Sequence, residues 1–545
     1  MIRLFVSGIR PSPLLVLPIV FSFLNVHADP DGSASAMVFS SSNLPIVVIE
    51  TDGAKIPDSP KIAARMGIIN NGEGVRNSIT DPRNEYNGAV GVELRGNSTQ
   101  YLFPKKPYLL ETRDSAGNTL NVPLLGMPKD NDWILLSMYI DKTLVRNPIA
   151  HYLSQRAGRY ACRWRFCELV VNGSYEGVYL IMESIKPAKN RLAISKMNPW
   201  DISGDSVTGA YIYEVSQGNQ TFGERRCFKY PAAADIRPQQ VDYIRGYDDG
   251  FRQAMRLSTY ADPVKGYPAW IDVDSFIDEI LVQESCKNSD AYGWSSFFFK
   301  DRLGKLNAGP VWDFDQALCN STFSEGDITN QWQIEKGYGE VPFFWKKLFH
   351  EPNFKRRLSN RWMALRRGPF HTDSLMAVID GWAVLLQEAQ ERNFTRWPIL
   401  GVELWRSLPG WEERDTYEAE LEYLKLYLRE HLEWMDSELR TTSGAEVSSD
   451  PHAESAPDIR ISPNPFHSGT TIRFSGGPQG PVDLVVFNLL GQRITRMTLD
   501  PHATGAGTIQ WDGRDGRGNA AAGGMYLLQF SMNGKRTATK RIFKY

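Results

Sequence analysis

GPVWDFDQA, residues 309–317, sets Asp313 and Asp315 two positions apart among Val311, Trp312 and Phe314, directly after a Gly-Pro pair. On a strand, side chains alternate with period two, so both carboxylates would share a face and converge on one point. Like charges that close repel and raise one pKa unless a cation or a basic side chain stands between them. A hard divalent cation such as Mg²⁺ takes oxygen ligands and in turn holds phosphate oxygens. An isolated Asp-x-Asp is just as well a turn cap beside a surface ion pair, so the neighbouring segments decide between the two.

LRGNSTQYLFPKKPYLLE (94–111) supplies the complementary charge. A strand runs into the turn Arg95-Gly96-Asn97-Ser98, whose backbone N–H groups suit an anion, and the chain returns through Lys105 and Lys106 into a second strand. Basic side chains beside such a turn are what a nucleotide phosphate needs.

Around these two segments, strand-length apolar runs recur up to about residue 300, among them LPIVVIET (44–51), FCELVVNG (166–173), EGVYLIMES (176–184), GAYIYEV (209–215) and SSFFFKD (295–301). Helical spacing appears in DKTLVRNPIAHYLSQRAG (141–158), with Asp141 in the N-cap place and Gly158 as a stop, and in DVDSFIDEILVQESCKN (272–288). From about 341 to 440 the pattern is almost wholly helical. Strands first and helices last predict an α+β architecture with a helical C-terminal lobe.

At 545 residues the chain exceeds one ordinary hydrophobic core, so more than one domain is predicted. With 61 basic and 63 acidic residues its net charge is -2, and no global field points to nucleic acid or to a membrane surface. Residues 1–28 read as a secretory signal: Arg3 and Arg10 precede an apolar run from Leu14 to Leu24, and Val26-His27-Ala28 gives the peptidase site. A membrane anchor is the competing reading, but the run is shorter than the roughly 20 residues a span requires. No later stretch is apolar enough to span. Five cysteines are too few and too odd in number for a disulfide framework, although Cys162 and Cys167 are spaced to join across a turn. No CxxC and no HExxH occurs, which removes support for a zinc site.

The principal domain is read as 29–440, followed by the Ser/Ala/Pro/acid-rich linker 441–458 and by 459–545, a series of short alternating strands separated by Gly, Pro, Asn and Asp turns. That last segment predicts a small immunoglobulin-like β-sandwich. Its SPNPF (462–466), VDLVVFNLLGQRI (482–494), WDGRDGRGNAAAGGMYLLQF (511–530) and basic ending KRIFKY resemble the C-terminal sorting domain of the type IX secretion system of Bacteroidetes-type bacteria. The resemblance implies a partner, the type IX machinery, and a final place outside the outer membrane, secreted or on the cell surface.

The principal domain resembles the CotH kinase family, atypical kinases first named for a spore coat protein. The likeness is carried by LRGNSTQYLFPKKPYLLE, NDWILLSMYIDKTLVRNPIAHYL (131–153), FCELVVNGSYEGVYLIMESIK (166–186), QESCKNSDAYGWSSFFFKD (283–301) and GPVWDFDQA, in the family's order. It implies a reduced protein-kinase-like fold that binds ATP with Mg²⁺ or Mn²⁺ and phosphorylates Ser or Thr of a protein substrate. By the same resemblance Asp313 is the metal ligand, assisted by Asp315, and Asp290 is the catalytic Asp that orients or deprotonates the acceptor hydroxyl. Lys106, or else Lys105, takes the phosphate-pairing role with Arg95 nearby, and Glu183 lies where a hinge segment meets the base. The chain departs from ordinary kinases in lacking a GxGxxG loop, an HRD and an APE, and Ser295 stands where a second metal-binding Asn would be.

Two other classes compete. A non-catalytic surface or assembly protein on the same scaffold would use Trp294, Trp312 and Trp345 for contacts, although aromatics in register are more often core. A metal-dependent phosphoesterase would need further ligands, with His350 and His371 the nearest candidates. His151 reads as a helix-face residue.

Overall fold

The computed structural model describes residues 39–96, 98–216, 225–336, 341–443, 458–464, 466–475, 482–488, 493–499, 507–532 and 535–544. The proposed leader, residues 1–28, lies outside them. The chain divides into two compact units, 1–444 and 445–545.

In the first unit the early strands do more than form a sheet. Ile46–Glu50, Ile62–Ile69, Tyr86–Leu94, Tyr108–Arg113, Asp132–Leu136, Ser174–Glu183 and Trp164–Val171 pair in that order and close into a barrel. Six of the contacts are antiparallel; the closing one, between Trp164–Val171 and Ile46–Glu50, is parallel, with Leu169 opposite Val47. Period-two alternation turns Val47, Ile49, Met66, Val92, Leu110 and Trp133 into the barrel core. Closure removes the open edges that a flat sheet of such apolar strands would expose.

A second sheet, wholly antiparallel, runs Arg226–Tyr230, Tyr211–Val215, Ser296–Lys300 and Leu306–Ala308. The helix Val273–Cys286 packs beside it, buried on nearly every side. Its N-cap is Asp272, whose carboxylate accepts from the Ser275 N–H at 2.7 Å, and Lys287 in the left-handed region (φ 41°) ends it. Helices Pro352–Arg366, Thr372–Arg396 and Tyr417–Ser443 supply the helical C-terminal part, their apolar faces joined in one core.

The predicted helix at 141–158 begins later than its sequence suggests, at Arg146, and runs to Arg156. Asp141 reaches it from upstream: one oxygen accepts from the Arg146 N–H at 2.9 Å, the other pairs with the Arg146 guanidinium at 2.6 Å, and both side chains are fully buried. Gly158, at φ 86°, does stop the chain after it. All five thiols are free and buried. Cys167 points into the barrel while Cys162 packs with Ile134 and Met182 outside it, so the bridge their spacing allows does not form.

The second unit is a sandwich of two antiparallel sheets, one of Asp458–Ser462, Thr470–Ser475 and Gly507–Trp511, the other of Arg493–Leu499, Val482–Phe487, Gly524–Met532 and Lys535–Lys544. Ile472, Phe474, Leu484, Trp511 and Phe530 fill the space between them. Among the described residues no helix is long and apolar enough to cross a membrane.

Candidate active site

A cleft of about 710 Å³ is lined by residues of the barrel (Leu136, Met182) and Arg95 just after one of its strands, of the four-stranded sheet (Glu214, Lys229, Phe297) and of two loops, one carrying Asp290 and the other Asp313 and Asp315. The Asp290 loop begins where Lys287 turns the chain out of the buried helix. Asn288 then ties the two loops together: its amide donates to the Asp313 carbonyl at 3.1 Å, and its carbonyl oxygen accepts from the Asp290 N–H at 3.3 Å. Gln316 donates to Asp290 Oδ2 at 3.0 Å, and Ser295 Oγ donates to Asp313 Oδ2 at 3.0 Å.

Asp313 and Asp315 do converge, but not by strand alternation. The last strand residue is Ala308, and 309–317 is an irregular loop. Asp313 lies in the left-handed region, φ 66°, and the Phe314 N–H after it donates to Asn147 at 3.0 Å. A non-glycine residue there is uncommon. Met138 (φ 50°), Ser295 (φ 47°) and Arg406 (φ 63°) share both the conformation and the cleft. Strain of this kind costs about 1–3 kcal/mol per residue and gathers at functional sites.

Asp313 acts on both of the other carboxyl groups. Burial, then the charge of Asp313, push Asp290 up to about 7, against the opposing pull of Arg406 and the Gln316 hydrogen bond. Burial, the Asp313 charge and a hydrogen bond to Asp313 hold Asp315 well above the carboxylate range. A cation bound here would take the place of those protons and let the carboxylates ionise. Among the described residues no three His, Cys, Asp or Glu side chains form a ready-made metal cage. Two carboxylates with the remaining positions left to water and phosphate oxygens are the donor set Mg²⁺ ordinarily takes.

Of the basic residues read from the sequence, the cleft receives only Arg95. Its guanidinium lies 4.6 Å from the Trp312 ring centroid, and burial lowers its pKa against the charges of Asp313 and Glu214. Lys105 is turned into the core instead. Its Nζ donates to the Val178 carbonyl at 2.6 Å and to Asn393 at 2.9 Å, over the Tyr179 ring, and burial pushes its pKa down to about 7. Lys106 donates to the carbonyls of Gln100 and Phe103, bracing the short helix Ser98–Leu102. Glu183 is fully buried outside the cleft, accepting from the Arg163 side chain at 2.6 Å and from Tyr160 at 3.2 Å.

Other cleft residues were not singled out from the sequence. Lys229 pairs with Glu214 at 2.6 Å, and Gln316 holds Arg406 at 3.0 Å. His151 does lie on a helix, but buried and edge-on to Trp312 at 6.4 Å in the cleft wall, where burial lowers its pKa to about 4 and keeps it neutral. Of the three tryptophans, Trp294 and Trp312 line the cleft and Trp345 is core. His350 pairs with Glu335 and His371 caps the helix Thr372–Arg396; neither lines the cleft.

The sequence model of the family described as CotH kinase protein matches residues 92–435, and that of the FlgD Ig-like domain matches 466–536. No curated protein matches. Among solved structures, dimeric latent PorU from Porphyromonas gingivalis is 21% identical with a TM-score of 0.15, the match covering 16% of this chain and 9% of PorU. FlgD from Xanthomonas campestris is 19% identical with a TM-score of 0.13, over 16% of this chain and 62% of FlgD. PorZ, a surface component of the type-IX secretion system of Porphyromonas gingivalis, is 18% identical with a TM-score of 0.13, over 19% of this chain and 13% of PorZ. The chain spans less than two thirds of each of these proteins.

Proposed function

The chain belongs to the CotH kinase protein family, and from that premise we propose that it is a secreted atypical protein kinase, transferring the γ-phosphoryl group of ATP to a Ser or Thr hydroxyl of a protein with Mg²⁺ or Mn²⁺. The observation that carries the proposal is the meeting of Asp290, Asp313 and Asp315 in one strained, partly buried cleft.

In this reading Asp313, its Oδ2 fixed by Ser295, and Asp315 hold the cation. When bound, the cation neutralises phosphate charge and aligns the phosphoryl group. Asp290, oriented through one oxygen by Gln316, faces the acceptor hydroxyl with the other. As the hydroxyl oxygen bonds to the γ-phosphorus, the bond to the β–γ bridging oxygen breaks, ADP leaves, and the hydroxyl proton passes to Asp290. Export is proposed from the tail motifs between Ser462 and Tyr545 and from the N-terminal leader pattern.

A second reading, a nucleotide-binding scaffold without turnover, is favoured by one observation: both lysines read as phosphate ligands are engaged by structural acceptors. The two readings separate in an assay with γ-labelled ATP, Mn²⁺ or Mg²⁺ and generic protein acceptors. A kinase labels protein, and Asp290→Asn keeps nucleotide binding while losing transfer. Nucleotide binding by the wild type without labelled protein in either metal would favour the scaffold.

A further inference from the structure

We infer that Lys229, anchored by Glu214 and working beside Arg95, is the lysine that engages the phosphates of a metal–nucleotide in this cleft; the inference rests on the nucleotide reading above.

Among the described residues that line the cleft, Lys229 is the one lysine. It reaches the cleft from an irregularity in its strand. In the pairing of Tyr211–Val215 with Arg226–Tyr230, Glu214 stands opposite Cys227 and Tyr213 opposite Phe228, but Ile212 stands opposite Tyr230; Lys229 is the extra residue of a β-bulge, a device that re-aims a side chain, and its ammonium meets Glu214. Arg226, on the other face, is committed to Asp248. Glu214 is itself out of place, a lone carboxylate in an apolar strand with a side chain 9% exposed, and it meets the Lys229 ammonium at 2.6 Å. The Lys229 side chain is 42% exposed and so keeps room to turn toward a ligand.

The charges are arranged in two parts. Asp290, Asp313 and Asp315 make one part acidic. In the other, Glu214 acts on Arg95 as well as pairing with Lys229, and one carboxylate cannot neutralise two cations. Arg95 lies over the ring of Trp312, the residue before Asp313, which places it between the two parts. Carboxyl oxygens at one end and two cationic side chains at the other match a divalent cation carrying a polyphosphate, with the metal toward the aspartates and the phosphate oxygens toward Arg95 and Lys229. Glu214 then serves as the positioning residue that keeps the Lys229 ammonium aimed inward, as an ion pair orients the phosphate-binding lysine of protein kinases.

The test uses the full chain, with Lys229→Met, Lys229→Arg and Asp313→Asn, titrated calorimetrically with ATP and with inorganic tripolyphosphate in Mg²⁺, and with thermal melts of each variant. Loss of one charge-assisted phosphate contact predicts that Lys229→Met weakens both ligands by roughly 10- to 100-fold. Lys229→Arg should recover most of the affinity, with melting temperatures unchanged. Wild-type affinity in Lys229→Met, with binding lost in Asp313→Asn, would overturn the lysine assignment and leave the nucleotide reading intact. Weakened binding that Arg does not restore, accompanied by a lower melting temperature, would mark a structural role and overturn it as well. Failure of the wild type to bind either ligand would overturn both.

Discussion

Replacing Lys105 by methionine should make the stability difference between wild type and variant change with pH, because this lysine is buried and held by protein acceptors rather than by a ligand. In the folded chain burial brings its pKa to about 7, whereas in the unfolded chain the exposed amine titrates near 10.5. Below pH 7 both states carry the proton, and the folded state bears the whole cost of a buried ammonium. Between pH 7 and 10.5 the unfolded chain binds a proton that the folded chain does not, so wild-type stability rises with pH across that window. At 1.36 kcal/mol per pH unit, and allowing for half-titration at the lower end, the wild type gains roughly 2–3 kcal/mol on Lys105→Met between pH 7 and pH 9. Methionine fills a similar volume but leaves the Val178 carbonyl without its donor, a cost of about 1–3 kcal/mol at either pH. Asn393 keeps a partner, since it also accepts from the Val178 N–H at 3.1 Å. Urea unfolding of both proteins at the two pH values, followed by tryptophan fluorescence, reads the difference. A difference that stays constant between pH 7 and pH 9 would refute the reasoning, and loss of nucleotide binding without any loss of stability would return Lys105 to the phosphate role.

Asp141→Asn leaves the Arg146 guanidinium buried without its counter-charge, so denaturant unfolding should show a loss of about 3–5 kcal/mol. Gly177→Ala should destabilise by more than about 1 kcal/mol in the same assay, because φ there is 96° and a Cβ would come within 2.5 Å of the Asn393 side-chain oxygen. With all five thiols free, the melting temperature should be the same with and without a reducing agent; a drop on reduction would expose a disulfide.

The individual strands were legible because β-branched and apolar residues alternate at strand length, but barrel closure was not. It depends on Trp164–Val171 meeting Ile46–Glu50 across more than a hundred residues, a pairing that no local pattern encodes. The acidic cluster was legible for a partly mistaken reason: carboxylates in an apolar stretch mark a site, yet a left-handed loop rather than a strand face brings Asp313 to Asp315. Lys105 and Lys106 misled because a lysine beside a turn looks solvent-facing until its partners are known. For Lys105 one of them, Asn393, comes from a helix 288 positions away. Glu214 carried the same signal as Asp313, one acid in the apolar run GAYIYEV, and following it to the next strand would have led to Lys229.

Central to the proposed function is a cation held by Asp313 and Asp315 and joined to a nucleotide. Its most direct test is isothermal titration of ATP into the full chain, with and without Mg²⁺ or Mn²⁺, for the wild type and for Asp313→Asn. Asparagine is the informative replacement because it tolerates the left-handed backbone while removing the charge. Binding that requires the metal, and that disappears in Asp313→Asn with the circular dichroism spectrum unchanged, is the result predicted. Binding that ignores the metal and is equal in both proteins, or no binding in either metal, would contradict it.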